Sequence, residues 1–279
     1  LFANFSAPAD LPSLRFLDVS ANPQLTDIQL PATLSNLTTL RLSENRLSSF
    51  TFPVGLTNLT QVNLSANQLT NVVLPPDLNH LETLDLGGNR LTSITLPPGL
   101  THLTGLFLVS NLLTNLTLPP DMTQLQDLSF LANPLTTLVL SEQLASSTNL
   151  SINLTTIPAL RNQGISVFTY PLTARLVEPL MLAGSFKFGI TGPPGVYSVL
   201  ASSNLATWSA VGVATNPLGS VIFHDVTTNI LPQKFYRALL QGPPTNMVLV
   251  APNTFIMGSP TNEPGHNIFE GPQATVTLT

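Results

Sequence analysis

Two histidines, His80 and His102, stand one repeat interval apart in this chain. Imidazoles at such an interval could share a metal ion. No carboxylate or third histidine recurs beside them, and the matching positions nearby are Asn36, Asn58 and Gln124. The expected role is therefore a polar surface ladder, with no metal and no cofactor. His224 and Asp225 are adjacent and of the type that performs general acid–base work. Neither a serine partner nor a glycine-rich oxyanion loop accompanies them, so no catalytic residue is expected. There is no cysteine, which excludes disulfides, thiolate metal sites and cysteine nucleophiles. What remains is binding chemistry. Arg41, Asp85, Phe107, Val109, Leu112 and Leu131 are its candidates.

Composition narrows the partners. Charged residues make up 8% of the 279 residues, against about 25% in an ordinary protein. Net charge is −5, from nine basic and fourteen acidic residues. No basic stripe exists, so nucleic acid is not an expected partner. Asn, Thr, Ser and Gln must supply the polar surface, which suits an extracellular or cell-surface protein. No apolar run approaches the ~18 residues of a membrane helix, and no membrane span is expected.

The elements that position these residues are written in a repeated phrase. Asn22, Asn45, Asn67, Asn89, Asn111 and Asn133 each close a phrase of the form L-x-x-L-x-L-x-x-N-x-L. Leu81, Leu84, Leu86, Asn89 and Leu91 give a clean copy. The first interval is 23 residues and the next four are 22. Phrase and period resemble those of leucine-rich-repeat solenoids. The stretch around L-x-L should be a short strand with leucines inward and the intervening residues outward. The asparagines form a structural ladder, each amide bonding backbone of its own and adjacent coils. The rest of each repeat reads L-T-x-x-x-L-P-P-x-L, as from Leu91 to Leu100. Proline pairs stop helices and interior strands, so the convex side should be extended segments and tight turns. Phe2, Phe5, Pro8 and Leu11 align with Leu91, Ile94, Pro97 and Leu100. The chain is thus expected to enter the solenoid mid-coil, with self-association through an uncapped end as one consequence. At the far end, Ile157 to Gly164 reads as a short helical turn stopped by glycine. Ile165 to Tyr170 reads as a closing strand.

Outward strand positions fall in three columns. The first is Phe16, Thr39, Gln61, Thr83, Gly105 and Asp127; the second is Asp18, Arg41, Asn63, Asp85, Phe107 and Ser129. The third is Ser20, Ser43, Ser65, Gly87, Val109 and Leu131. The later coils place Phe107, Val109 and Leu131 outward, with Leu112 just past the turn. They could form one apolar contact patch, or lie beneath the cap or the next domain. Sequons at Asn36, Asn58 and Asn115 recur with the repeat's own N-L-T phrase, which explains them better than glycosylation.

From Leu172 the leucine rhythm stops. Short apolar stretches at 174–183, 185–190, 196–201, 207–213, 220–224 and 234–240 alternate with turn residues, as in a β-sandwich. Trp208, the only tryptophan, is expected in its core. The series Tyr197, Val199, Ala201, Ser202, Asn204, Leu205 and Trp208, then Phe223 and Asp225, then Lys234, Phe235, Tyr236 and Arg237, resembles a module repeated in secreted planctomycete and verrucomicrobial proteins. That resemblance implies an immunoglobulin- or fibronectin-like fold with a spacing or adhesive role.

After a linker at Gly242, Pro243 and Pro244, the run Pro252, Phe255, Met257, Gly258 and Ser259, then Glu270, Pro272, Val276 and Leu278, resembles the opening of the formylglycine-generating-enzyme family. Asn253 stands where that family usually has glycine, and Ala274 where histidine is common. The family's copper-binding cysteines lie near its far end, and this chain holds none.

The reading is a mainly β chain. It has a leucine-rich-repeat solenoid with a C-terminal cap at 1–171, a small β-sandwich at 172–241, and a linker with a truncated β tail at 242–279. Its expected function is non-catalytic and extracellular: binding a protein or glycan on the concave face. The alternative is the targeting half of a larger formylglycine-generating-enzyme-like protein.

Overall fold

The computed structural model describes residues 2–153, 155–182, 185–226, 233–242, 254–257 and 274–277. Residues 1–240 form one compact unit and 241–279 another.

The concave side of the solenoid is a seven-stranded parallel sheet. Its strands are Phe16–Asp18, Thr39–Arg41, Gln61–Asn63, Thr83–Asp85, Gly105–Phe107, Asp127–Ser129 and Ser151–Ile152. The register joins Phe16, Thr39, Gln61, Thr83, Gly105 and Asp127 in one row, and Asp18, Arg41, Asn63, Asp85, Phe107 and Ser129 in another. Between the rows, Leu40, Val62, Leu84, Leu106 and Leu128 point inward and are buried. A second set of parallel pairings runs on the opposite side. Asn4–Ser6 pairs with Asp27–Gln29, isolated bridges join Thr51, Val73 and Thr95, and Asn115–Thr117, Thr137–Ser141 and Ser166–Tyr170 form a sheet. Ile28, Phe50, Val72, Leu116, Leu138 and Val167 fill the core from that side, with Phe5 and Ile94 packed against it. The two sides enclose one apolar cluster reaching from Ala7 to Val167. Each buried leucine stabilises the fold by roughly 1.5–3 kcal/mol relative to exposure. Between the sides the chain turns tightly, with Leu59, Leu81 and Leu103 amides bonding the carbonyls of Leu56, Leu78 and Leu100.

Where the chain leaves the concave sheet, the asparagines bridge successive coils. The Asn89 amide donates to Leu86 O in its own coil at 2.9 Å and to Leu64 O in the preceding coil at 3.0 Å. Its Oδ1 accepts from the amide of Leu69. Asn67 and Asn111 repeat all three bonds. The carbonyls of Val19, Leu42, Leu64, Leu86 and Leu108 each receive two successive asparagine amides. The result is an unbroken alternation of amide and carbonyl through the stack. The residue before each asparagine adopts a left-handed backbone. These are Ala21, Glu44, Ala66, Gly88, Ser110 and Ala132, with φ between 51° and 64°. Only one is glycine, so five coils carry a strained conformation that costs about 1–2 kcal/mol each.

The region where the leucine rhythm fades still completes the solenoid. Glu142–Ala145 is a single helical turn capped by the Ser141 hydroxyl. Ser151–Ile152 adds the seventh concave strand, pairing with Asp127 and Leu128. Helix Ile157–Asn162 starts at Thr156 and ends before Gly164, whose φ is +87°. Ser166–Tyr170 then closes the far end, and the buried Tyr170 donates to Leu118 O at 2.6 Å.

Beyond this cap lie two three-stranded antiparallel sheets. One holds Arg175–Leu182, Ser185–Thr191 and Ser220–Asp225; the other holds Ser209–Asn216, Gly195–Ser202 and Phe235–Leu240. Both contribute to a shared core of Phe188, Ile190, Tyr197, Val199, Ala214 and Phe223. Trp208 is not in that core, contrary to expectation. It follows a turn whose amides are held by Ser202 and Asn204, and so lies beside the sheet. There it is half-buried, bonds Leu205 O through its indole N–H, and lies under the Arg237 guanidinium at 4.3 Å. Phenylalanines fill the space instead. Cap and sheets touch at Gly219, where φ is +94° and Tyr170 leaves no room for a side chain. A Cβ there would stand 2.8 Å from Tyr170 Cβ. In the second unit, Thr254–Met257 and Ala274–Thr277 pair antiparallel. The remainder of the tail resemblance lies outside the described residues.

Replacing Asn89 by alanine orphans the buried Leu69 amide and removes a donor from two carbonyls. Urea or thermal denaturation should show a loss of about 3 kcal/mol. Asn58→Ala removes one exposed bond to Ser35 O and should cost less than about 1 kcal/mol.

Candidate functional site: the concave cleft

Stacking turns residues far apart in sequence into neighbours. Asp18, Ser20, Arg41, Ser43, Gln61, Val62, Asn63, Thr83, Asp85 and Phe107 line a shallow cleft of about 340 Å³ on the concave sheet. Three of the six binding candidates, Arg41, Asp85 and Phe107, are therefore brought together. Val109, Leu112 and Leu131 are not part of this lining. Val109 is half-buried, while Leu112 and Leu131 are each 51% exposed.

Local geometry fixes the polar groups. Asp18, Asn63 and Asp85 each accept a bond at 2.9 Å from the backbone amide two residues on, at Ser20, Ser65 and Gly87. Such short side chains close the turn off the strand and hold their second polar atom in a set direction. Arg41 occupies the same row. Its guanidinium lies 5.3 Å from the ring centre of Phe16, which is itself 51% exposed. That contact lets the cation rest on an apolar face while its N–H groups remain available. Phe107 turns back along its own strand. A Cβ on Gly105 would stand 3.0 Å from Phe107 Cε2, so the ring occupies the room that glycine leaves and buries it. Burial raises the Asp85 carboxyl above its ordinary range, and the Gly87 amide opposes that shift. A half-buried carboxylate lining a cleft favours a cationic or hydrogen-bond-donating ligand group.

The sequence columns contain every lining residue except the inward Val62, but periodicity alone does not separate Asp18, Ser20, Ser43, Gln61, Asn63 and Thr83 from the rest. The signal is their place in the row of Arg41 and Asp85, for Asp18 and Asn63, or in a column beside it, for the other four. The histidine pair lies elsewhere. His80 and His102 stack at 5.9 Å with an interplanar angle of 21°. Their Nδ1 atoms meet the carbonyls of Thr57 and Asn79 in the preceding coil. Asn36 and Asn58 make the equivalent bonds to Pro12 and Ser35, so the histidines are rungs of a polar ladder. Among the described residues no group of three or more His, Cys, Asp or Glu could hold a metal. His224 and Asp225 alternate along a strand, His224 exposed and Asp225 buried, and point to opposite faces. They do not form a dyad.

Asp85→Asn should stabilise the chain at neutral pH, because Asn63 shows that an amide fits the same turn. The folded carboxyl titrates above its unfolded value, so its ionisation costs stability as pH rises through that window. Thermal melts should show the gain at pH 7 and see it shrink as the pH falls through the carboxylate range.

Residues 35–80 match leucine-rich repeats (2 copies), and residues 87–160 match a BspA-type leucine-rich-repeat region (6 copies). No curated protein matches the chain. Among solved structures, the functional domain of InlJ from Listeria monocytogenes is similar at 22% identity and a TM-score of 0.37, covering 57% of this chain and 43% of that one. YopM from Yersinia enterocolitica is similar at 26% identity and 0.36, covering 53% and 34%. InlP from Listeria monocytogenes is similar at 19% identity and 0.35, covering 81% and 72%. This chain thus spans less than half the length of the InlJ domain and of YopM. The repeat phrase, the parallel stacking of coils and both sequence matches agree that the solenoid between residues 35 and 160 is built of leucine-rich repeats.

Proposed function

We propose that the chain is a non-catalytic interaction module, working outside the cell or on its surface, that holds a protein or glycan in the concave cleft. The observation that carries this reading is the gathering of Arg41, Asp85 and Phe107, with amide and hydroxyl side chains, on one stacked sheet. Arg41 and Asp85 are two strands apart, roughly 10 Å. Opposite charges at that separation suit an extended segment bearing both signs, so a protein partner fits better than a neutral glycan. Phe107 supplies an apolar platform between them and the later coils. Val109, Leu112 and Leu131 extend the contact as an apolar rim. The low charge of the whole surface supports the extracellular setting, and so does the resemblance of residues 195–237 to a module of secreted proteins.

A second reading is that this chain is the targeting half of a larger formylglycine-generating-enzyme-like protein. It is supported by the antiparallel pairing of Thr254–Met257 with Ala274–Thr277, the two segments that resemble that family's opening. Downstream sequence with paired cysteines would favour it; downstream sequence without them would remove it.

The primary reading is tested by a panel of purified extracellular proteins and glycans probed with the wild type and an Arg41→Ala, Phe107→Ala double variant. Truncating two central contacts should weaken capture roughly tenfold or more, with circular dichroism unchanged. A ligand held equally by both chains would contradict concave-face binding.

A further inference from the structure

The antiparallel sheets contain a group that the binding reading does not use. Asp225 is the last residue of Ser220–Asp225 in one sheet, and Lys234 directly precedes Phe235–Leu240 in the other. The Lys234 Nζ stands 2.5 Å from Asp225 Oδ2, with side-chain exposures of 17% and 3%. The Tyr236 hydroxyl donates to the same carboxylate oxygen at 2.7 Å. Aromatic rings wall the pair. Tyr236 stacks on Phe186 at 5.0 Å and meets Phe188 at 5.1 Å, and Lys234 Nζ lies 5.6 Å from the Tyr236 ring centre. An ion pair removed from water gains little net stability, because desolvation offsets the Coulomb attraction. An uncharged link between the same two groups avoids that cost.

We propose that Lys234 and Asp225 condense into an intramolecular amide that ties the two sheets together. The ammonium passes one proton to Oδ2, leaving an amine in contact with a carboxylic acid. The Nζ lone pair attacks Cγ and forms the new C–N bond. The Cγ–Oδ2 bond then breaks, and Oδ2 takes a second proton from Nζ and leaves as water. The ammonium and carboxylate become an amide and one water, so no oxidant, reductant or further reactant is needed. Tyr236 is the group that assists. Its O–H bonds the oxygen that departs, which polarises the carboxyl and stabilises the leaving group. Holding the nucleophile against the acid supplies the proximity that the uncatalysed condensation lacks. The aromatic wall and the burial of Asp225 keep bulk water from the linkage. The linkage is independent of concave-face binding.

Mass spectrometry of the intact, natively folded chain tests it directly. The wild type should be lighter than its sequence by one water. Protease digestion should yield one branched peptide joining the Lys234 and Asp225 segments. Lys234→Arg retains the charge pair but has no amine of the same reach, and should keep its full mass. Asp225→Asn should reach the same final mass as the linked wild type, by losing ammonia instead. Tyr236→Phe should slow the appearance of the branched peptide roughly a hundredfold. Wild type at full sequence mass after prolonged native incubation, with Lys234 in a linear peptide, would overturn the proposal. So would a water loss mapped to any other pair of residues.

Discussion

The chain depends on the asparagine amides that join each coil to the one before. A solenoid buries leucine easily, since every coil offers its apolar side chains to the next. Backbone groups at the sharp exit from the concave sheet are harder to satisfy, because they are buried where the strand pairing ends. Asn45, Asn67, Asn89, Asn111 and Asn133 each meet that need three times over, through two carbonyls and an amide. The carbonyls shared between successive asparagines set the register of one coil on the next. The strained backbone just before each asparagine is the cost of aiming the side chain inward. Only Gly88 among the six meets that conformation without strain.

Register is what makes the concave face specific. Asp18 and Asp85 are remote in sequence, yet stand in one row because each coil is held to the last without slip. The cleft then needs no specialised loop. Asx turns at Asp18, Asn63 and Asp85 orient the polar atoms, Phe16 supports Arg41, and Gly105 gives Phe107 a bed. We propose that these parts hold a ligand. The geometry is an open face with opposite charges spread across strands.

Much of this was legible in the sequence because a solenoid is nearly one-dimensional. The period fixed which residues share a row, and the six apolar stretches after Leu172 match the six strands seen there closely. What escaped was decided by packing beyond the period. Ser151–Ile152 carries no leucine phrase, and becomes a strand because Asp127–Ser129 offers it an edge. Phe107 reads as an exposed aromatic, but the glycine two residues earlier leaves room for its ring. Trp208 reads as a core residue by type, yet the turn built by Ser202 and Asn204 carries it out to Arg237. The pairing of Asp225 with Lys234 crosses between sheets, and no local pattern announces it.

Amide hydrogen exchange on the intact chain tests the ladder most directly. The amides of Leu69, Leu91 and Leu113 have no backbone acceptor among the observed bonds and are held by the Oδ1 atoms of Asn89, Asn111 and Asn133. If the ladder holds the register, these three should exchange as slowly as the central concave-strand amides, through global unfolding alone. Exchange at the rate of the surface turn amides would show that the coils are held by apolar packing, with the asparagines incidental.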